Sequence, residues 1–361
     1  MKYLLFGDAE SPHLLKWARA LAAQGPQVFE GFELWAASSR GFLPAFDGVI
    51  APERRLALGT RPRFEGGNVA LLCELPRLAA WAKTLRPAYV HAHYLSSHGT
   101  LGWLAQKVLG VRAPLVGSAW GSDILDTPSR SKVQRALLRR VLAACALTTS
   151  DSRHMADRMQ ALGAREVMVF PFGLEALPPL PPDKHERLFF ANRGLESLYA
   201  PGRVLAVFAA IRREWPDAQL VIANDGSLRA TLVQQVKALD LGDAVHFTGR
   251  LDAVAQADWY RRAQWYLSLP RSDSVSVSVL EAMGHGCIPI LSDLPANHEL
   301  VEPGLTGLIV PDVGPVDVAD LERLQPRAAA IAADNRAWVA EQALFGPSVE
   351  RFLLRLAQLP R

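Results

Sequence analysis

Short apolar runs alternate with longer amphipathic stretches along almost the whole of this sequence, and that rhythm constrains the fold more than any other feature. "KYLLFG" is followed by "HLLKWARALAAQG", where Leu14, Trp17, Ala18 and Leu21 form a stripe that predicts a helix ending at Gly25. "YVHAHY" (89–94), "APLVGSAWG" (113–121), "ALTTSD" (146–151) and "VMVFPFG" (167–173) read as further strands, with helices around 99–109, 130–144 and 152–162. Apolar strands joined by helices build a parallel sheet covered on both faces. The rhythm breaks at "PFGLEALPPLPPDKHER" (171–187), where clustered prolines disfavour regular structure and mark a linker. It restarts with "RLFFANR", "AQLVIAND", "AVHFTGR", "QWYLSLP", "CIPILSD" and "TGLIVP", and with helices at about 202–215, 227–240, 254–263 and 274–284. The expectation is an α/β chain of two doubly wound domains, 1–172 and 187–346, joined by a linker over 173–186. A terminal helix (347–361), with the stripe Val349, Phe352, Leu353 and Leu356, is expected to pack back onto the first domain. Ligands in such sheets bind outside the carboxyl ends of strands, so a cleft between facing domains is the expected site.

A length of 361 residues suits two domains, and half the residues are apolar, enough for two cores. The three cysteines, Cys73, Cys145 and Cys287, are scattered, which fits neither a disulfide framework nor a zinc ribbon and points to a reducing cytosol. The apolar run in "MKYLLFGDAE" is too short for a signal peptide, and no window approaches the roughly 18 apolar residues of a membrane span. The net charge of +3 is uneven: 21 Lys/Arg against 14 Asp/Glu in residues 1–175, and 18 against 22 in the rest. The first half is therefore expected to face something anionic, though not nucleic acid. No G-x-G-x-x-G follows a strand, which argues against a dinucleotide-dependent dehydrogenase.

The stretch "RSDSVSVSVLEAMGHG" (271–286) holds two carboxylates, Asp273 and Glu281. Its S-V-S-V alternation fits a strand, but "VLEAM" before Gly284 and Gly286 favours a helix over 274–284. Ser272, Asp273 or Ser274 would cap it, and Val275, Val279 and Met283 would be its buried stripe. Eight helical positions span about 12 Å. Two carboxylates sharing one glycosidic bond lie roughly 5–9.5 Å apart. Such acids suit the two ends of an extended ligand better, with the helix N-terminus offering N–H groups to an anion between them. A capping Asp and a surface Glu would leave the same trace.

Segment 271–310 resembles the donor-site signature of family 4 retaining glycosyltransferases of GT-B fold: an acid, seven residues, Glu, then a glycine-containing turn and a strand ending in S/T-D. Here it reads "DSVSVSVLEAMGHGCIPILSD", followed by "ELVEPGLTGLIVP". "ANRGLESLYAPGRVLAVF" (191–208) resembles the segment whose Arg binds the donor diphosphate. "LVIANDGSLRATL" resembles the next glycine-containing turn, and "VHFTGRLD" the turn that cradles the nucleobase. "HAHY" and "WGSDIL" resemble motifs of the N-terminal domain. The resemblance implies two facing Rossmann-like domains with the donor site in the cleft. Three departures stand out. Asp273 replaces the usual Glu. The Lys that commonly follows the diphosphate Arg is absent, with Leu198 and Tyr199 in its place and Arg203 or Arg250 as candidate substitutes. "GDAESPH" (7–13) replaces an N-terminal Gly-Gly loop.

By this resemblance, Glu281 binds the donor ribose, Asp273 holds sugar hydroxyls near the breaking bond, and Arg193 neutralises the diphosphate leaving group. Ser274 and Val275 offer backbone N–H groups to phosphate, and Gly226, Gly249 and Arg250 line the donor site. His93 faces the donor sugar. Asp8, Ser11 and His13 lie where acceptor enters, and Asp123 binds acceptor, organises the cleft or is a plain N-cap. His91 and His93 share a strand face. With His98 they raise the question of zinc, but the third His is loosely spaced and no Cys or acid joins it, so neither metal nor cofactor is expected. The implied reaction is retaining transfer from a nucleotide-sugar donor to a saccharide or lipid-linked acceptor. A nucleotide-sugar epimerase, or an inactive relative that binds a sugar nucleotide, would share the pattern.

"SRSKVQRALLRRVLAACA" (129–146) reads as an amphipathic helix with Lys132, Arg135 and Arg139 opposite Val133, Leu137, Val141 and Ala144. The loop-like "APERRLALGTRPRF" (51–64) interleaves Arg54, Arg55, Arg61 and Arg63 with Leu56, Leu58 and Phe64. Both suit an anionic bilayer surface, so weak peripheral association with the inner face of the cell membrane is expected.

Overall fold

A computed structural model describes residues 1–60, 69–179, 184–312 and 316–359. The chain forms two compact units: Met1–Phe170 together with Phe345–Arg361, and Pro171–Leu344. Every pairing between named strands is parallel.

The first unit carries β1 (Lys2–Ala9), β2 (Glu33–Phe42), β3 (Arg55–Ala57), β4 (Tyr89–His93), β5 (Leu115–Ser118), β6 (Cys145–Ser150) and β7 (Val167–Val169), in the order β3-β2-β1-β4-β5-β6-β7. The second carries β8 (His185–Ala191), β9 (Gln219–Ala223), β10 (Val245–Gly249), β11 (Ala263–Ser268), β12 (Ile288–Ser292) and β13 (Leu308–Val310), in the order β10-β9-β8-β11-β12-β13. In each sheet the order reverses once, between β1 and β4 and between β8 and β11. Those are the points where a doubly wound sheet leaves a crevice beyond its strand ends. Central strands such as β4 and β11 are buried along their whole length, as sheets covered on both faces require.

Several expectations are corrected. β2 and β3 did not stand out in the sequence because "ELWAASSRGF" has neither an apolar run nor a clean alternation. Its buried Ser38 instead accepts the Ala9 N–H (3.0 Å) and donates to the Gly41 carbonyl (2.7 Å). The first helix, Pro12–Val28, runs past Gly25 and contains Pro26. Gly25 serves packing: a Cβ there would lie 2.3 Å from the Phe32 ring. The helix expected near 99 is preceded by a π-turn, Leu95–Gly99, entered through Tyr94 in the left-handed region (φ 68°). The helix expected over 274–284 begins at Val277, with Ser276 as its N-cap. Val275, Val279 and Met283 are buried as expected, Val275 from the segment before the helix.

The linker is not loose. Leu174 is buried and pairs with Leu344, its N–H donates to the Ala343 carbonyl (2.8 Å), and a Cβ on Gly173 would lie 1.9 Å from that same oxygen. Chain entry and exit are thus clipped together within the second unit. The closing helix, Phe345–Ala357, belongs to the first unit and buries Val349, Phe352, Leu353 and Leu356. Phe345 and Phe352 set their rings edge-on to Trp17 at 5.0 and 5.6 Å, Tyr89 donates to the Leu356 carbonyl (3.2 Å), and Arg355 grips Glu166 through two hydrogen bonds.

The basic surface is also revised. In the helix Lys132–Ala144 the buried residues are Leu138, Val141 and Leu142, while Val133 is 77% exposed beside exposed Lys132, Arg135 and Arg139. Arg55 is absorbed by the fold: it pairs with Asp47 (2.7 Å), donates to the carbonyls of Phe46 and Ile50, and starts β3. Leu58 is buried. Arg61, Arg63 and Phe64 lie outside the described residues.

Candidate active site

The carboxyl end of β4 gathers three buried histidines. His91 lies between the Tyr3 hydroxyl (Nδ1, 2.8 Å) and Ser118 Oγ (Nε2, 2.7 Å). His98 Nδ1 donates to the His93 carbonyl (2.8 Å), because a carbonyl can only accept, and its Nε2 lies 2.9 Å from Ser39 Oγ. His93 accepts the Trp120 indole N–H at Nδ1 (3.2 Å). Burial lowers the His91 pKa to about 3 and that of His98 to about 4, and holds His93 well below its ordinary value with help from its two neighbours. A neutral His93 whose Nδ1 is the acceptor carries its proton on Nε2, and that nitrogen is buried without a hydrogen-bond partner among the described residues. It is a donor lacking an acceptor. Among the described residues, no group of three or more His, Cys, Asp or Glu is arranged to hold a metal.

Asp123 is fully buried and accepts the N–H groups of Leu95 (2.7 Å) and Trp120 (2.9 Å). The cap expectation is corrected: Gly121 stands at the N-cap of the short helix Ser122–Leu125, and Asp123 lies in its first turn. It ties the turn after β4 to the turn that carries Trp120. Burial raises its carboxyl pKa to about 6 despite those bonds. His13 lies exposed with its ring 4.9 Å from that of Trp120, which brings an expected acceptor-side residue beside the partner of His93. Ser11 caps the first helix by accepting the His13 N–H (3.3 Å), and Asp8 accepts the Glu10 N–H (3.0 Å) and faces Arg40 at 3.5 Å. Spacing alone does not single out Trp120; its place in "WGSD" is the available signal.

In the second unit, Arg193 follows β8 and Asp273 follows β11, both at the reversal point. Their ion pair is 2.7 Å long, with side chains about one-fifth exposed. Arg193 also donates to Ser276 Oγ and to Ser278 Oγ (3.3 Å), and its guanidinium lies over the Tyr199 ring (4.4 Å). Tyr199 thus stacks on the arginine where a lysine was expected. Burial opposes the Arg193 charge, but Asp273, then Tyr266, Tyr199 and Tyr260, more than offset it and hold the guanidinium above its ordinary value. Ser276 is an N-cap whose hydroxyl serves Arg193 instead of capping, so Asp273 stands three residues ahead of the cap and off the helix. Glu281, on the helix, accepts from Gln256 Nε2 (3.2 Å) and from the Tyr260 hydroxyl (3.1 Å).

The other expected donor residues are positioned as follows. Ser274 and Val275 are buried, and the Ser274 N–H donates to Asp273 Oδ1 (3.0 Å). Gly226 sits where a Cβ would come within 2.5 Å of the Leu195 carbonyl oxygen. Gly249 ends β10 in the left-handed region (φ 72°) and accepts the Asn224 N–H (2.6 Å). Arg250 is exposed. Arg203 is not a substitute for the missing lysine: it pairs with Asp312 (3.0 Å) and donates to the carbonyls of Val310 and Pro311. Arg271 lies beside Leu198, its backbone N–H bonded to the Leu198 carbonyl (2.9 Å) and its side chain exposed.

Residues 11–173 match the family described as "Glycosyl transferase 4-like domain", and residues 178–323 match "Glycosyl transferases group 1". A D-inositol 3-phosphate glycosyltransferase of Jonesia denitrificans is 26% identical over 86% of this chain and 81% of its own. An N-acetyl-alpha-D-glucosaminyl L-malate synthase of Bacillus anthracis is 25% identical over 64% and 63%. The fold superposes on Anabaena HepE, crystallised with UDP, at a TM-score of 0.77 and 15% identity over 99% and 100% of the two chains. It superposes on the sucrose-phosphate synthase of Thermosynechococcus elongatus at 0.75 and 16% identity over 99% of both. The two matched regions span both units, and with the paired doubly wound sheets they establish that the chain belongs to the family 4 glycosyltransferases of GT-B fold.

Proposed function

We infer that this glycosyltransferase takes its sugar from a nucleoside-diphosphate sugar and transfers it with retention of anomeric configuration. The observation that carries this reading is the Arg193–Asp273 pair at the reversal point of the second sheet, with Glu281 eight residues on. A guanidinium that stays charged beside a part-exposed carboxylate suits a diphosphate leaving group next to sugar hydroxyls. Glu281, held by Gln256 and Tyr260, suits a ribose diol. Uracil is the first nucleobase to try, given the UDP in a structure of the same fold. His93 Nε2–H is a ready donor to a sugar oxygen. Positioning and charge stabilisation supply the catalysis, with Arg193 doing at the diphosphate what a divalent metal does elsewhere.

Relatives are named as a D-inositol 3-phosphate glycosyltransferase, an N-acetyl-alpha-D-glucosaminyl L-malate synthase and an alpha-monoglucosyldiacylglycerol synthase, which supports a hydroxyl acceptor on a polar or lipid-linked molecule. Among the described residues no helix is long and apolar enough to cross a membrane. The exposed Val133 among Lys132, Arg135 and Arg139 supports contact with an anionic bilayer. Titration calorimetry with UDP, and a UDP-sugar panel assayed with and without EDTA, test the reading. Binding that weakens in Glu281→Ala and turnover that survives EDTA are expected. Normal UDP affinity in Glu281→Ala would refute the ribose assignment, and sugar isomerisation without transfer would point to an epimerase.

A further inference from the structure

Between Arg193 and Glu281 runs an unbroken line of hydrogen-bonding groups. Ser276 Oγ lies 2.8 Å from Ser278 Oγ, Ser278 Oγ lies 2.9 Å from the Tyr266 hydroxyl, and the Tyr266 hydroxyl lies 2.6 Å from Asn192 Oδ1. Asn192 Nδ2 donates to the Tyr260 hydroxyl (2.8 Å), which is 3.1 Å from Glu281 Oε2. Asn192, Tyr260 and Tyr266 are buried, and burial foremost raises both phenol pKa values, so both remain protonated.

The chemistry of the two ends orders every proton. A guanidinium only donates and a carboxylate only accepts. The Tyr266 proton must go to Asn192 Oδ1, which has none to give. Ser278 therefore donates to Tyr266, Ser276 to Ser278, and Arg193 to Ser276. At the other end the Asn192 amide donates to Tyr260, whose proton lies toward Glu281, shared with the Ser278 carbonyl at 3.1 Å. Turning the amide over would reverse the bonds on both sides and leave the Tyr260–Glu281 contact without a proton. The order is Arg193, Ser276, Ser278, Tyr266, Asn192, Tyr260, Glu281, all donating in one sense from cation to anion. Hydrogen bonds so aligned in a dry interior polarise one another.

We propose that Tyr266, Asn192 and Tyr260 are positioning residues that couple the diphosphate-gripping Arg193 to the ribose-holding Glu281, so that occupation of one end strengthens the other. The proposal rests on the nucleotide reading given above. It is tested by UDP calorimetry on the wild type, Arg193→Lys, Glu281→Gln and the double variant, repeated in a Tyr266→Phe background. In the wild-type background the double loss should depart from the product of the single losses by about threefold or more. In the Tyr266→Phe background the product should hold. Asn192→Asp is the second interrupting variant, equal in shape but with no N–H for Tyr260.

A ligand-free arm measures urea unfolding of Ser278→Ala, Tyr260→Phe and their combination, which should be non-additive. Additive losses in the wild-type background, or non-additivity that survives both interruptions, would overturn the coupling while leaving nucleotide binding intact. Additive unfolding losses would overturn it independently of any nucleotide. Non-additive unfolding with no affinity for UDP, GDP or ADP would refute the nucleotide reading and reduce the line to a structural network.

Discussion

At the carboxyl end of β4, three imidazoles and an indole are packed so that none of the rings carries charge at neutral pH. At the carboxyl ends of β8 and β11, the charged guanidinium of Arg193 is paired with Asp273 among hydroxyls, with Glu281 on the helix that follows. The two sheets share one strand order and the same crevice position, yet one crevice is dressed in neutral donors and the other carries the Arg193–Asp273 ion pair. A shared backbone plan thus fixes where a ligand sits, and side-chain electrostatics decide what it is. Neutral donors suit a sugar ring, where a buried charge would be costly to desolvate. Fixed charges suit a diphosphate.

Three experiments would break or sharpen that contrast. Removing a charge from the second unit should have the largest effect. Arg193→Ala takes away the guanidinium that pairs with Asp273 and is proposed to meet the leaving group, and loss of one preorganised charge-stabilising group lowers turnover by about 10²–10³-fold. Steady-state kinetics with the preferred donor checks it, and a loss under tenfold would remove Arg193 from the charge-bearing role.

Acid should act next, and on the first unit. His91 and His98 titrate near 6.5 when unfolded but at about 3 and about 4 when folded, and His93 is lowered too. Their stabilisation is complete above pH 6.5 and shrinks as pH falls, because the unfolded chain binds the protons first. Asp123, raised to about 6, works the other way between pH 6 and 4. The histidines outnumber it, so the first unit should lose about 1.4 kcal/mol per pH unit for each net proton. The second unit has His285, lowered to about 4 chiefly by burial, as its one such histidine among the described residues. Amide exchange at pH 7 and pH 5 should show protection falling in β1, β4 and β5 before β8 and β11, and equal loss in both sheets would contradict it.

The smallest effect concerns Trp120. Trp120→Phe removes the N–H that makes His93 Nδ1 an acceptor, while the ring stays to pack against His13. The ¹⁵N shifts of His93 should change from a single Nε2–H tautomer to a mixture, with turnover down by less than the about 10²-fold that outright loss of a positioned proton donor costs. An unchanged tautomer would mean that something other than Trp120 sets it.

The alternation of apolar runs and amphipathic stretches made the strands from β4 onward legible, because a doubly covered parallel strand is apolar throughout. β2 and β3 were not, because buried Ser38 and the structural Arg55 look like loop chemistry until their partners are known. The pairing of Asp273 with Arg193 could not be read from spacing, since it joins residues from two different strand ends. The same holds for the Tyr266–Asn192–Tyr260 line: each residue alone looks like core. The helix start was misplaced because three serines near Asp273 are all good caps, and the choice of Ser276 follows from where the chain leaves β11.

The closing helix Phe345–Ala357 sets an order of events on the ribosome. Its Phe345 and Phe352 cover Trp17, and Phe352 also lies against His91 (5.4 Å). The first unit's other residues end at Phe170, so its last wall emerges only after the whole second unit has been made. At 5–20 residues per second that delay is roughly 10–35 s. The nascent first sheet must spend that interval with a tryptophan-lined flank uncovered, in reach of chaperones and of other unfinished chains. Although its first residues are made earlier, the N-terminal unit is the one completed last.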